Sequence, residues 1–88
     1  MSDSKILFFG KLKGYAPKEG VTLVVNPQMT VKQLRSLVAQ RLAEVSSIFP
    51  GESELVSSAI ANEDRVLKEN ETVGESREFS FLPPVCGG

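Results

Sequence analysis

The sequence predicts an α+β domain in which one main helix lies across a mixed sheet and an extended tail leaves the last strand. Three observations carry this expectation. Short apolar or aromatic runs stand near both ends of the chain, at residues 5–11 and 78–82. Between them lies one capped amphipathic helix pattern, and after them comes Pro83-Pro84-Val85-Cys86-Gly87-Gly88.

Residues 5–11 read Lys-Ile-Leu-Phe-Phe-Gly-Lys, apolar on both alternating faces and bounded by charge. A strand covered on both sides, near the middle of a sheet, fits that pattern. Lys13-Gly14 and Pro17-Lys18-Glu19-Gly20 mark a loop, and the β-branched stretch 21–25 is a second strand forming a hairpin with the first. Asn26-Pro27 breaks that strand. Thr30-Val31-Lys32-Gln33 then has the form of a capping box, so a helix starts there. Val31, Leu34, Leu37, Val38, Leu42 and Val45 recur at helical spacing and supply its apolar stripe, which is read as core.

Residues 46–53 contain Pro50-Gly51 and read as a loop, with Ile48 and Phe49 tucked back onto the core. A third strand is expected over 55–61, then a turn at 62–64 and a short strand segment at 65–67. Residues 68–76 form a polar loop with Val73 as its inward anchor. The last strand spans 78–82, with Phe79 and Phe81 on one face and Ser80 and Leu82 on the other. This element order matches a β-grasp whose first and last strands pair at the centre. A ferredoxin-like arrangement would need a second helix of similar quality, and none is visible after Val45.

Composition limits what such a domain does. Eighty-eight residues allow one core, and 41% hydrophobic with 24% charged residues describes a globular chain. A net charge of −1 argues against a general nucleic-acid-binding role. That average conceals a split, because residues 1–43 carry seven bases against two acids (+5) and residues 44–88 three bases against nine acids (−6). The split marks either a charged docking face or halves that interleave and mix. One Cys and no His exclude an internal disulfide, a zinc-ligand cluster and a Ser-His-Asp arrangement, so self-contained catalysis is not expected. With no signal-like N-terminus and no apolar run of membrane-spanning length, a cytoplasmic chain without membrane or nucleic-acid partners is expected.

The ending carries the chemistry. Two prolines fix φ near −65° and lack N–H groups, which biases the segment toward an extended, projecting form. Six residues at about 3.3 Å each reach on the order of 20 Å, enough to enter a deep pocket of another protein. Gly87 carries no Cβ, so a narrow tunnel can close around it. The chain is thus divided into a domain at 1–82 and a tail at 83–88.

The runs Ile6-Leu7-Phe8-Phe9 and Phe81-Leu82-Pro83-Pro84-Val85-Cys86-Gly87-Gly88, with the single central helix, resemble the small, sulfur-carrying subunit of molybdopterin synthase, a family that is ubiquitin-like in fold. Members often place two aromatic residues before the prolines, whereas the second position here is Leu82. The resemblance implies that a ubiquitin-activating-type adenylyltransferase uses ATP to adenylate the carboxylate of Gly88. Sulfur from a persulfide donor then converts it to a thiocarboxylate, and the molybdopterin synthase large subunit receives the tail for sulfur transfer to a pterin precursor. Activation is needed because a terminal carboxyl with a pKa of about 3.5 is ionised at neutral pH and a poor electrophile. By the same resemblance, Phe79, Phe81, Leu82, Pro83, Pro84, Val85, Cys86 and Gly87 contact partners, on whichever strand face is less covered. The chain itself binds no cofactor and no metal.

Cys86 is read as a tolerated small residue, an oxidisable thiol, or a participant in sulfur transfer. The last reading requires a strained ring containing two amides that prefer trans, and is set aside. Three other functions stay open: a carrier for thiamine or tRNA thiolation, a protein modifier joined through Gly88 to lysines, and a binding module with an inert tail.

Overall fold

The computed structural model describes residues 2–83. Four strands form one sheet in the order β2-β1-β4-β3: β1 (Ser2–Phe8), β2 (Val21–Val25), β3 (Ala59–Ala61) and β4 (Glu78–Leu82). The first and last strands lie side by side and parallel at the centre, with Ile6 opposite Phe79 and Phe8 opposite Phe81. β2 and β3 flank them in antiparallel pairings. This is the expected β-grasp with its first and last strands at the centre, but the expected cover on both faces of β1 is not found: α1 lies over one face, while Leu7 is only half-buried and Phe9 is 41% exposed on the other.

The main helix α1 (Val31–Val45) begins at a complete capping box. The Gln33 amide donates to Thr30 Oγ1 at 3.2 Å and the Thr30 amide donates to Gln33 Oε1 at 2.8 Å. Two of the orphan N–H groups of the first turn are thereby satisfied. Val31, Leu34, Val38 and Leu42 point at the sheet and meet Ile6, Phe8, Phe79 and Phe81; all eight are buried. The Phe8 and Phe81 rings stand 5.5 Å apart and tilted by 37°, an aromatic pair that adds about 0.5–1.5 kcal/mol beyond area burial. Arg35 is the exception on the inward side of α1. It is buried, pairs with Glu69 and donates from Nη2 to the Ser58 carbonyl at 3.0 Å, tying the helix to two connections.

Several elements differ from the expectation. β1 starts at Ser2 and ends at Phe8, because Gly10 adopts φ +65° and turns the chain into a 3₁₀ helix at Gly10–Tyr15. That helix has no sequence periodicity to announce it. It is held by tertiary contacts: Leu12 is buried, and Tyr15 packs edge-on against Phe49 at 5.8 Å. The third strand is shorter than expected. Leu55 belongs to a short helix, α2 (Ser53–Val56), and only Ala59–Ala61 pair in the sheet. Ser58 causes the break, since its hydroxyl donates back to the Leu55 carbonyl at 2.6 Å and its amide does so at 3.0 Å. The segment 65–67 pairs only as a single bridge from Val66 to Ala61. Phe49 packs against the core, but Ile48 is 67% exposed. Val73 is buried, as expected of an anchor.

Candidate functional site

The site is the end of the central strand pair. The β1/β4 ladder is bracketed by two further bonds, from the Lys5 amide to the Arg77 carbonyl at 2.8 Å and from the Phe9 amide to the Phe81 carbonyl at 3.1 Å. β4 is therefore paired along its full length before it hands over to Pro83. Its start is pinned as well. Ser4 Oγ donates to the Ser76 carbonyl at 2.6 Å, and the Glu63 carboxylate accepts from the Ser76 hydroxyl and from the Arg77 amide. The Ser76 hydroxyl, the largest cause, holds the Glu63 carboxyl below its ordinary range. A strand fixed at both ends sets where the following residues depart.

Pro83 is half-buried and sits against Gly10. A Cβ at Gly10 would come within 2.6 Å of the Pro83 ring, and the φ of +65° also favours glycine there. The first tail proline is thus seated on the body. Pro84, Val85, Cys86, Gly87 and Gly88 lie outside the described residues. Gly10 was not singled out from the sequence as a site residue; the signal was its place directly after the two-faced apolar run.

The two faces of β4 divide the sequence-predicted contact residues. Phe79 and Phe81 are fully buried beneath α1 and are core. The less covered face is that of Ser80 and Leu82, and it continues sideways. Leu7 stands opposite Ser80 and Ala59 opposite Leu82, all on the surface away from the helix, with Phe9 41% exposed beside them. Leu7, Phe9, Leu82 and Ala59 make an open apolar patch next to Pro83. Such a patch, rimmed by polar groups, suits contact with another protein.

Among the described residues, no group of three or more Cys, Asp or Glu side chains is arranged as metal ligands. No helix of the described residues is long and apolar enough to cross a membrane.

Comparison with known proteins agrees with this geometry. The sequence pattern of the ThiS family matches residues 6–88. A crystal structure of SAMP1 from Haloferax volcanii superposes with a TM-score of 0.63 at 25% identity, covering 99% of this chain and 100% of that one. A second crystal structure, of the H. volcanii small archaeal modifier protein 1, superposes with a TM-score of 0.69 at 16% identity over 97% of this chain and 100% of the other, a likeness of fold. No curated protein sequence gave a significant match. With a family match across nearly its whole length and the same ubiquitin-like architecture, the chain belongs to the ThiS family, among the β-grasp proteins of the sulfur-carrier and modifier kind.

Proposed function

We propose that this chain is the sulfur-carrying subunit of a molybdopterin synthase, delivering sulfur as a thiocarboxylate on Gly88. The observation that carries the reading is continuity. A central strand paired along its full length ends beside an open apolar patch, and the family match runs on through Gly88. The Pro83-Pro84-Val85-Cys86-Gly87-Gly88 lead-in supports the molybdopterin synthase reading over thiamine or tRNA thiolation.

The chemistry needs an activating partner. An oxygen of the Gly88 carboxylate attacks the α-phosphorus of ATP in the adenylyltransferase, forming the acyl-adenylate and expelling pyrophosphate. The terminal sulfur of a donor persulfide displaces AMP, and a thiol then cleaves the S–S bond to release the thiocarboxylate. In the large subunit, its sulfur acts as nucleophile toward the pterin precursor. The body of this chain binds and orients; Leu82 and its neighbours hold the partner while the tail threads in.

Co-expression with a cognate adenylyltransferase, ATP and a persulfide donor is expected to give a protein whose intact mass reports one oxygen-to-sulfur exchange at Gly88. Restoration of molybdenum-cofactor synthesis in a carrier-deficient strain distinguishes this pathway from thiamine and tRNA thiolation. A second reading is favoured by the likeness to the archaeal modifier protein: Gly88 becomes isopeptide-linked to lysines of other proteins. Higher-mass conjugates in lysate that disappear when Gly88 is deleted would support it.

A further inference from the structure

The connection that follows β1 is rich in lysine, and it stands at the end where β4 finishes. β1 and β4 run parallel, so the connection that follows β1 stands beside the exit of β4, and the connection that precedes β4 stands at the opposite end. Residues 9–20 carry Lys11, Lys13 and Lys18 against Glu19 alone, whereas residues 62–78 carry six acids against three bases. The connection beside the exit of β4 is therefore basic. Lys13 and Lys18 are both exposed, and among the described residues neither makes an ion pair.

These two lysines flank a half-enclosed cavity of about 200 Å³ whose walls are mostly apolar, formed by Leu7, Phe8, Phe9 and Pro17 together with the lysine stems. An apolar cavity of about 150 Å³ is enough to hold a benzene ring, so this one takes a single large side chain. Gly20 shapes the wall behind it. Its φ is +80°, and a Cβ there would collide with the Ile6 carbonyl oxygen at 2.1 Å, so the connection closes tightly onto β1. Two exposed ammonium groups on the rim of an apolar slot present one chemistry: an apolar anchor flanked by carboxylates.

We propose that the mouth formed by Leu7, Phe8, Phe9, Lys13, Pro17 and Lys18 docks an acidic segment of a partner protein that inserts one aromatic or branched aliphatic side chain between the two lysines. The apolar slot buries the anchor and supplies affinity, while the lysines steer the segment and set its direction. A nucleic acid is disfavoured by the apolar lining and by the net charge of −1. The inference is independent of what Gly88 carries. It names a second point of attachment, on the β1–β2 connection beside the exit of β4.

The test uses the ¹⁵N-labelled full chain titrated with the capped peptide Asp-Glu-Leu-Phe-Glu-Asp, a version with lysines in place of the acids, and oligothymidine. The acidic peptide is expected to shift the amides of Leu7, Phe9, Lys13 and Lys18 most. Its affinity should fall about tenfold in the double variant Lys13→Glu, Lys18→Glu and fall similarly at high salt, because rim charges act through screened Coulomb attraction. The same charge change at Lys32→Glu, Arg41→Glu on α1 should leave it unchanged. Shifts centred elsewhere, no shift, or equal binding of the lysine peptide would overturn the proposal. Tighter binding of oligothymidine at the same amides would also overturn it, reassigning the surface to nucleic acid. None of these outcomes depends on sulfur loading, so failure here leaves the carrier function standing.

Discussion

The two faces of the central strand pair divide the work of the molecule. Toward α1, Ile6, Phe8, Phe79 and Phe81 are at most 6% exposed and hold the fold together. Away from it, Leu7, Ser80 and Leu82 are half-covered and Phe9 is 41% exposed, although they occupy the same two strands. The alternation of side chains along a strand puts stability on one face and leaves a half-covered apolar surface on the other. Substitutions one residue apart should therefore fail in different ways.

The largest effect is expected on the inner face. Phe81→Ala removes a fully buried ring and its partner contact with Phe8, and should cost about 3–5 kcal/mol, read as a lowered Tm and earlier urea midpoint. A loss below about 1 kcal/mol would mean that the inner face is not the store of stability. Gly20→Ala comes next. The left-handed φ and the contact with the Ile6 carbonyl should cost roughly 1–3 kcal/mol without changing any surface side chain.

Leu82→Ser tests the outer face. It is expected to change stability by about 1 kcal/mol or less, since the side chain is only partly covered, yet to raise the KM of the chain as a substrate of the proposed adenylyltransferase. A drop in Tm comparable to that of Phe81→Ala would erase the distinction between the faces. The smallest effect concerns the connection that leads into β4. Arg65, as hydrogen-bond donor, holds the Glu71 carboxyl down to about 2, and the Ser76 hydroxyl lowers that of Glu63, both from 4.5. Lowered carboxyl values support the folded connection above about pH 4.5, and the support is lost as the pH falls through the folded values. Both groups lie at the surface, so screening keeps the effect small and local. Amide protection factors at residues 62–77, corrected for intrinsic exchange, should fall between pH 4.5 and 2 before those of the core strands.

The legible parts of the fold were those written in local chemistry. The Thr30 to Gln33 capping box and the alternation in β4 follow from neighbouring residues alone and stand where expected; the stripe of α1 does so at Val31, Leu34, Val38 and Leu42, whereas Leu37 is half-buried and Val45 is 44% exposed. The central pairing followed from one further step, that strands apolar on both faces belong inside a sheet. Tertiary contacts wrote the rest. Leu55 and Val56 have strand-forming character, but the Ser58 hydroxyl competes for the backbone and the segment turns as α2. Gly10–Tyr15 is helical because Leu12 and Tyr15 find partners far away in sequence, which no local pattern encodes. Of the candidate site, the strand β4 was legible in the sequence, while the seat for Pro83 at Gly10 and the cavity between Lys13 and Lys18 emerged only when distant segments met.

The central claim is that Gly88 carries the reactive sulfur and the body only presents it. Intact-mass measurement after incubation with adenylyltransferase, ATP and a persulfide donor tests it most directly, run in parallel on the native chain and on Gly87→Val. The native chain should gain one oxygen-to-sulfur exchange localised to Gly88, and the variant should keep a native Tm while failing to charge, because an added Cβ and its methyls would keep the chain out of a narrow tunnel. An unchanged mass of the native chain, under conditions that charge a control carrier, would contradict the account.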